Sequence, residues 1–193
     1  MALRHAVLAA LLDGEYSGYQ LAKIFDLSVS NFWHAVPQQL YSELSRLETE
    51  GLISGRQVIQ HDRPNKRVYT VTRAGVDELE RFASTPAKPG TIRENILVMV
   101  QAVDHISADA VIAQLEERAR MSAAKVELFE RMLARLRGDQ DEHTFLRSAT
   151  PIGPYLTCLR GRRFEQEHHE WFTSTARLLR ARAGAHAEGG EAP

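Results

Sequence analysis

The chain has 193 residues, 44% hydrophobic and 25% charged, which is enough apolar material for a real core. A formal net charge of −1 gives no overall nucleic-acid signature, and a single cysteine, Cys158, excludes an intramolecular disulfide. No apolar run reaches the roughly 20 residues that span a bilayer, and the apolar amino-terminus lacks a small-residue cleavage site, so a cytoplasmic location is expected.

Leu3, Val7, Leu8 and Leu11 recur at helical spacing and predict a first helix ending near Gly14. Ser17 and Gln20 have capping-box spacing and open a short second helix through Leu21, Ile24 and Phe25. Pro37 suits the first position of a third helix, which runs to Glu50, buries Leu40, Leu44 and Leu47, and stops at Gly51. The period then changes. Segments 52–60 and 66–72 are rich in β-branched and aromatic residues, and His61-Asp62-Arg63-Pro64-Asn65 between them is turn chemistry, so a β-hairpin is expected. Thr72 caps a fourth helix to about Ala83.

Two prolines and a glycine in residues 85–91 mark a linker. Beyond it the pattern is helical. Thr91-Ile92-Arg93-Glu94 reads as a capping box for a helix with Ile96, Leu97, Val100 and Val103 inward. Ser107 caps a long helix to about Arg137. Its positions Ile112, Leu115, Ala119, Ser122, Val126, Phe129, Leu133 and Leu136 follow a 3-4 heptad spacing. A last helix over 153–182 continues that spacing through Phe164, His168, Trp171, Thr175 and Leu178. The expected fold is mainly α. Residues 1–84 form a winged helix-turn-helix domain of three helices and a β-hairpin wing, 92–182 an all-helical dimerisation and effector domain, and 183–193 a disordered tail.

The stretch Tyr16-Ser17-Gly18-Tyr19-Gln20-Leu21, then Phe32-Trp33, Gln39 to Glu48, Glu50-Gly51-Leu52-Ile53, and Arg63 to Thr72 with Ala74-Gly75, resembles the PadR family of bacterial regulators. Leu159-Arg160-Gly161 and Glu170-Trp171 are similar to that family's carboxy-terminal domain. The resemblance implies a DNA-binding repressor that acts as a homodimer on an inverted-repeat operator. It also implies release by a small aromatic or amphipathic effector, whose contacts the sequence leaves unknown. Val36 departs from the Ser or Thr expected to cap the third helix.

With its leucine face inward, the third helix turns Gln38, Ser42, Ser45 and Thr49 outward, flanked by Gln39 and Arg46. Early residues of a recognition helix reach base edges, so Gln38, Gln39 and Ser42 are the candidate readers, with Tyr41 either on a phosphate or packed beside Leu44. Residues 56–73 hold five basic side chains and one acid, a local net of +4. Arg63, Lys66 and Arg67 are assigned to phosphates, and Arg56 and Arg73 to ordinary surface. Tyr19 and Lys23 are weaker phosphate candidates.

Burial of the heptad seam against a second copy assigns Leu115, Val126, Phe129, Leu133, Trp171 and Leu178 to a dimer interface. Packing of the two seams within one chain is the rival. Cys158, His168 and His169 do not have metal-ligand spacing, and neither a Gly-rich phosphate loop nor HExxH nor GxSxG occurs, so no cofactor and no enzyme activity are expected. Trp33 and Trp171 are read as core. The alternative function is a winged-helix protein-interaction module that does not bind DNA. Such a module has no need of a basic wing beside an uncharged polar helix face.

Overall fold

A computed structural model describes residues 2–25, 35–59, 65–87 and 93–189. The chain divides into two compact units, Met1–Pro89 and Gly90–Pro193.

In the first unit the order is α1 (Ala2–Ala10), β1 (Tyr16–Ser17), α2 (Gly18–Ile24), α3 (Pro37–Thr49), β2 (Ile53–Val58), β3 (Lys66–Val71) and α4 (Arg73–Ala83). Ser17 caps α2 as the spacing predicts: its hydroxyl accepts from the Gln20 N–H at 3.3 Å, and the Gln20 side chain accepts from the Ser17 N–H at 2.9 Å. Gly51 ends α3 with φ +73°, a conformation open to a residue without Cβ, and Leu52 N–H then reaches back to the Leu47 carbonyl at 2.9 Å. Thr72 caps α4 by accepting from the Gly75 N–H. β2 and β3 pair antiparallel with Gly55 opposite Tyr69, and β1 adds to the outer side of β3 with Tyr16 opposite Tyr69. A two-residue strand is too short to show alternation, and the sequence reading missed it. The core gathers Val7, Leu8 and Leu11 of α1, Leu21 and Phe25, Leu40, Leu44 and Leu47 of α3, and Leu52 and Ile53.

The second unit contains α5 (Asn95–Gln101), a 3-10 turn (Val103–His105), α6 (Ala108–Arg137), α7 (Glu142–Ser148) and α8 (Gly153–Gly189). Ser107 caps α6 and Asp141 caps α7, a short helix that lies outside the expected pattern. Thr91 and Ile92 lie outside the described residues. The helix begins at Asn95 behind Glu94, which makes no side-chain cap, and Leu97 is exposed where it was expected inward. Residues 183–189 continue α8 and are not the start of a tail.

α6 and α8 run antiparallel: His169 donates from Nδ1 to the Ala119 carbonyl at 2.9 Å, and the Cys158 thiol faces the Phe129 carbonyl at 3.7 Å. This packing corrects the interface assignment. Leu115, Phe129 and Leu133 are 0%, 4% and 2% exposed within one chain, so their apolar surface is already spent on the intramolecular pair. Val126 and Trp171 are half-buried. Leu178 is exposed. On α8 the buried positions are Tyr155, Cys158, Leu159, Gly161, Glu165, Phe172 and Ala176, and Glu165, Phe172 and Ala176 lie one residue away from the apolar series read in the sequence. Among the described residues no helix is long and apolar enough to cross a membrane, and no three His, Cys, Asp or Glu side chains gather as a metal site.

The difference between seam and surface is measurable. Leu115→Ala should lose about 2–5 kcal/mol of stability in urea denaturation, as for other buried leucines. Arg131→Ala, at an exposed position of the same helix, should stay within about 0.5 kcal/mol. Equal losses would contradict the intramolecular assignment of the seam.

Candidate nucleic-acid interface

α3 is anchored by Leu40, Leu44 and Leu47, which are at most 1% exposed, and this sets its outward face. Gln38, Gln39, Tyr41, Ser42, Ser45, Arg46 and Thr49 are all exposed there. Val36 supplies no side-chain cap at the start of α3. Gln39 substitutes from within the helix, its side-chain oxygen accepting the Val36 N–H at 3.3 Å. A bidentate adenine contact uses both the oxygen and the nitrogen of the amide. The Gln39 amide oxygen is thus shared between this cap and any base contact, whereas among the described residues no such bond holds Gln38. The hydroxyls of Ser45 and Thr49 donate to carbonyls one turn back, at Tyr41 and Ser45 respectively.

The Tyr41 ring lies against Gly18, the first residue of α2. A Cβ at residue 18 would sit 2.4 Å from Tyr41 Cε1, so the glycine is what lets α2 and α3 meet with the tyrosine between them. Tyr41 thus packs on α2, a partner the sequence reading did not name. Tyr19 is 63% exposed on α2, and the Lys23 ammonium lies 4.8 Å from its ring centroid, so both line the open side of that helix.

The wing's charge is smaller than its composition suggests. Arg56 pairs with Glu15 and Arg73 with Asp77, in keeping with their assignment to ordinary surface. Arg67, assigned to phosphate, is held by Glu48 of α3, and Arg46 is held by Glu50 at 3.0 Å. Each guanidinium thus has an internal carboxylate, and both side chains stay half or more exposed. The acids that neutralise the wing lie outside segment 56–73, so a count within the segment missed them. Gly55 makes room for the Arg67–Glu48 pair, since a Cβ there would lie 2.4 Å from Glu48 Oε1 and 2.6 Å from Arg67 Nε. Lys66, at the start of β3, has no acidic partner among the described residues. Arg63 and Trp33 lie outside the described residues.

Behind this face an ion network ties three helices together. Glu50 takes Arg4 of α1 as well as Arg46, and Glu78 of α4 takes Arg81 and the His5 ring, which stacks on Phe82 at 3.9 Å. The Arg4 hydrogen bond, with help from Arg46, holds the Glu50 carboxyl below its usual value, and Arg81 and His5 do the same for Glu78.

A polar helix face set on a leucine core, a preceding helix packed at its start and a hairpin clasped to its far end define a winged helix-turn-helix unit of the DNA-binding kind. Residues 7–81 match the model of the Transcriptional regulator PadR-like family, and residues 92–180 match Virulence activator alpha C-term. The first unit is thus a PadR-like transcriptional regulator domain. It is 42% identical over 89 residues to the probable transcriptional regulator Rv1176c of Mycobacterium tuberculosis, a match spanning 46% of this chain and about half of that protein, 47%. It is 25% identical over 178 residues to the negative transcriptional regulator PadR of Bacillus subtilis, covering 92% of this chain and 97% of that one. Among solved structures, Bacillus subtilis PadR in complex with operator DNA superposes with a TM-score of 0.76 at 24% identity, covering 93% of this chain and 99% of that chain. The Vibrio cholerae virulence activator AphA gives 0.67 at 25% identity, covering 93% and 98%.

Because Glu15, Glu50 and Glu78 are held below the usual glutamate value of 4.5, the unfolded chain binds more protons than the folded one just below that pH. Their stabilisation is complete above 4.5 and is lost as pH falls through the lowered values. The melting temperature of the first unit should be level between about pH 6 and 5 and drop on further acidification. Glu50→Gln should make that drop shallower, and a mutant curve parallel to wild type would discount the network.

Proposed function

We propose that the chain is a cytoplasmic repressor that binds double-stranded operator DNA as a homodimer, with α3 in the major groove and the wing beside the backbone. The observation that carries this reading is the exposed, uncharged polar start of α3, where Gln38 and Ser42 stand opposite buried leucines. Such a face suits base edges, because Gln is matched to adenine and Ser adapts to either partner. Lys66, with no acidic partner among the described residues, offers its charge to a phosphate, and Tyr19 and Lys23 on α2 offer a second backbone contact. Two-fold symmetry in the protein would place two recognition helices about 34–36 Å apart, so the operator should be an inverted repeat.

Dimerisation is supported by apolar side chains that the single chain leaves outside. Val98 is 69% exposed and Leu178 60%, with Leu97 and Leu156 also open. Relief by a small effector is supported by the likeness to Bacillus subtilis PadR, one of whose solved structures is a complex with p-coumaric acid.

Binding of the intact chain to the DNA upstream of its own gene, titrated with salt, tests the reading directly. Lys66→Ala should weaken binding to every duplex and reduce the salt slope by about one. Gln38→Ala should chiefly relax base preference, by about 1–3 kcal/mol for a bidentate contact. Glu48→Gln has the opposite sign to Lys66→Ala. It frees the Arg67 charge and should steepen the slope by about one. A chain that is monomeric by light scattering, or whose affinity ignores both salt and Lys66→Ala, would refute the proposal.

A further inference from the structure

Two helices of the first unit carry a glutamine at their third position and differ in the residue that precedes the helix. In α2 the pair is Ser17 and Gln20, and in α3 it is Val36 and Gln39. Gln20 Oε1 accepts twice from Ser17, from its N–H at 2.9 Å and from its hydroxyl at 2.9 Å. An amide oxygen has two lone pairs, so both are taken. Gln39 Oε1 accepts from the Val36 N–H, at 3.3 Å. Valine has no hydroxyl to add, and among the described residues no second donor reaches that oxygen.

The two glutamines therefore differ in what they can still offer. A backbone N–H can only donate, so the end of the Gln39 amide that meets Val36 is the oxygen, and the amide cannot flip without losing this bond. One lone pair and two N–H donors remain for a partner. In the major groove adenine shows the N6 donor beside the N7 acceptor, and a side-chain amide meets both only while its oxygen can still accept. Guanine N7 and O6 and thymine O4 are all acceptors, so an amide without a free lone pair loses its reason to favour adenine. Gln39 is exposed at the start of α3, the part of a recognition helix that reaches base edges. Val36 is 47% exposed and carries little of the core.

We propose that Val36 governs base selection by this chain: by withholding the hydroxyl that saturates the equivalent glutamine of α2, it leaves Gln39 an oriented reader of adenine. This rests on the reading of α3 as a recognition helix in the major groove and assigns its selectivity to a particular pair of residues. Gln39 is the contacting side chain, and Val36 is a positioning residue that acts through it. Threonine differs from valine by a hydroxyl in place of one methyl group. Val36→Thr should thus close the box as in α2 and occupy the second lone pair of Gln39 Oε1.

Selection of bound duplexes from a randomised pool, with the intact chain, tests this. Wild type should return an adenine that Gln39→Ala loses, and that position marks the base under Gln39. Val36→Thr should weaken selection of the same adenine by at least about fivefold, whereas Val36→Ala, which also lacks a hydroxyl, should keep it. Val36→Thr should melt higher than wild type, because its hydroxyl also accepts the Gln39 N–H as Ser17 accepts that of Gln20, so lost selection is not lost fold. Its salt slope should match wild type, since no phosphate contact changes. Retention of the adenine by Val36→Thr, its loss in Val36→Ala, or a Gln39→Ala chain that selects as wild type would overturn the proposal. Any of these with salt-dependent binding intact leaves the operator reading standing. A wild type whose binding to duplex DNA ignores salt sinks that reading and this one with it.

Discussion

The burial of Leu40, Leu44 and Leu47 determines what the first unit shows to a partner. A helix has one buried stripe, and once three leucines occupy it the remaining positions have no choice of direction. Gln38 and Ser42 point outward because Leu40 and Leu44 point in. The rest of the unit serves this placement. Tyr41 wedges α2 against α3 through the space left by Gly18, and the Arg67–Glu48 pair fixes the hairpin to the other end of the helix.

The first unit was legible in the sequence where a local rule decides the structure. Ser17, Gly51 and Thr72 act through neighbours within a few residues, and so does the leucine spacing of α3. Side-chain partnerships were not legible, because they join residues far apart in the chain. Arg67 meets an acid in α3 and Arg56 meets Glu15, so an arginine count along the hairpin overstated the charge available to a phosphate. Gln39 shows the same limit at short range. The missing cap at Val36 was visible, and its replacement from inside the helix was not.

In the second unit the heptad spacing of α6 was read correctly, and its partner was misjudged. The apolar series Phe164, Trp171 and Leu178 on α8 looked like the matching seam. The face packed on α6 instead includes buried Glu165 and half-buried His169, whose polarity argued against such a place in the sequence. Each is admitted because α6 offers a specific partner, the Lys125 ammonium for Glu165 and the Ala119 carbonyl for His169. Burial of polar groups that are satisfied in this way leaves larger apolar side chains such as Leu178 on the outside, and that is the surface a second copy has available.

The clasp formed by Glu48, Arg67 and the empty side-chain position at Gly55 bears on how such a protein can be re-engineered. Its three parts come from the recognition helix and from both strands of the wing, so neither element is an interchangeable cartridge. A graft of foreign bases-reading residues at the start of α3 leaves the clasp untouched. A swap of the whole helix or of one strand would separate the acid from its arginine or fill the gap between them. The wing would then hang at a different pitch from the helix beside it, and a change meant for base choice would alter the backbone grip as well.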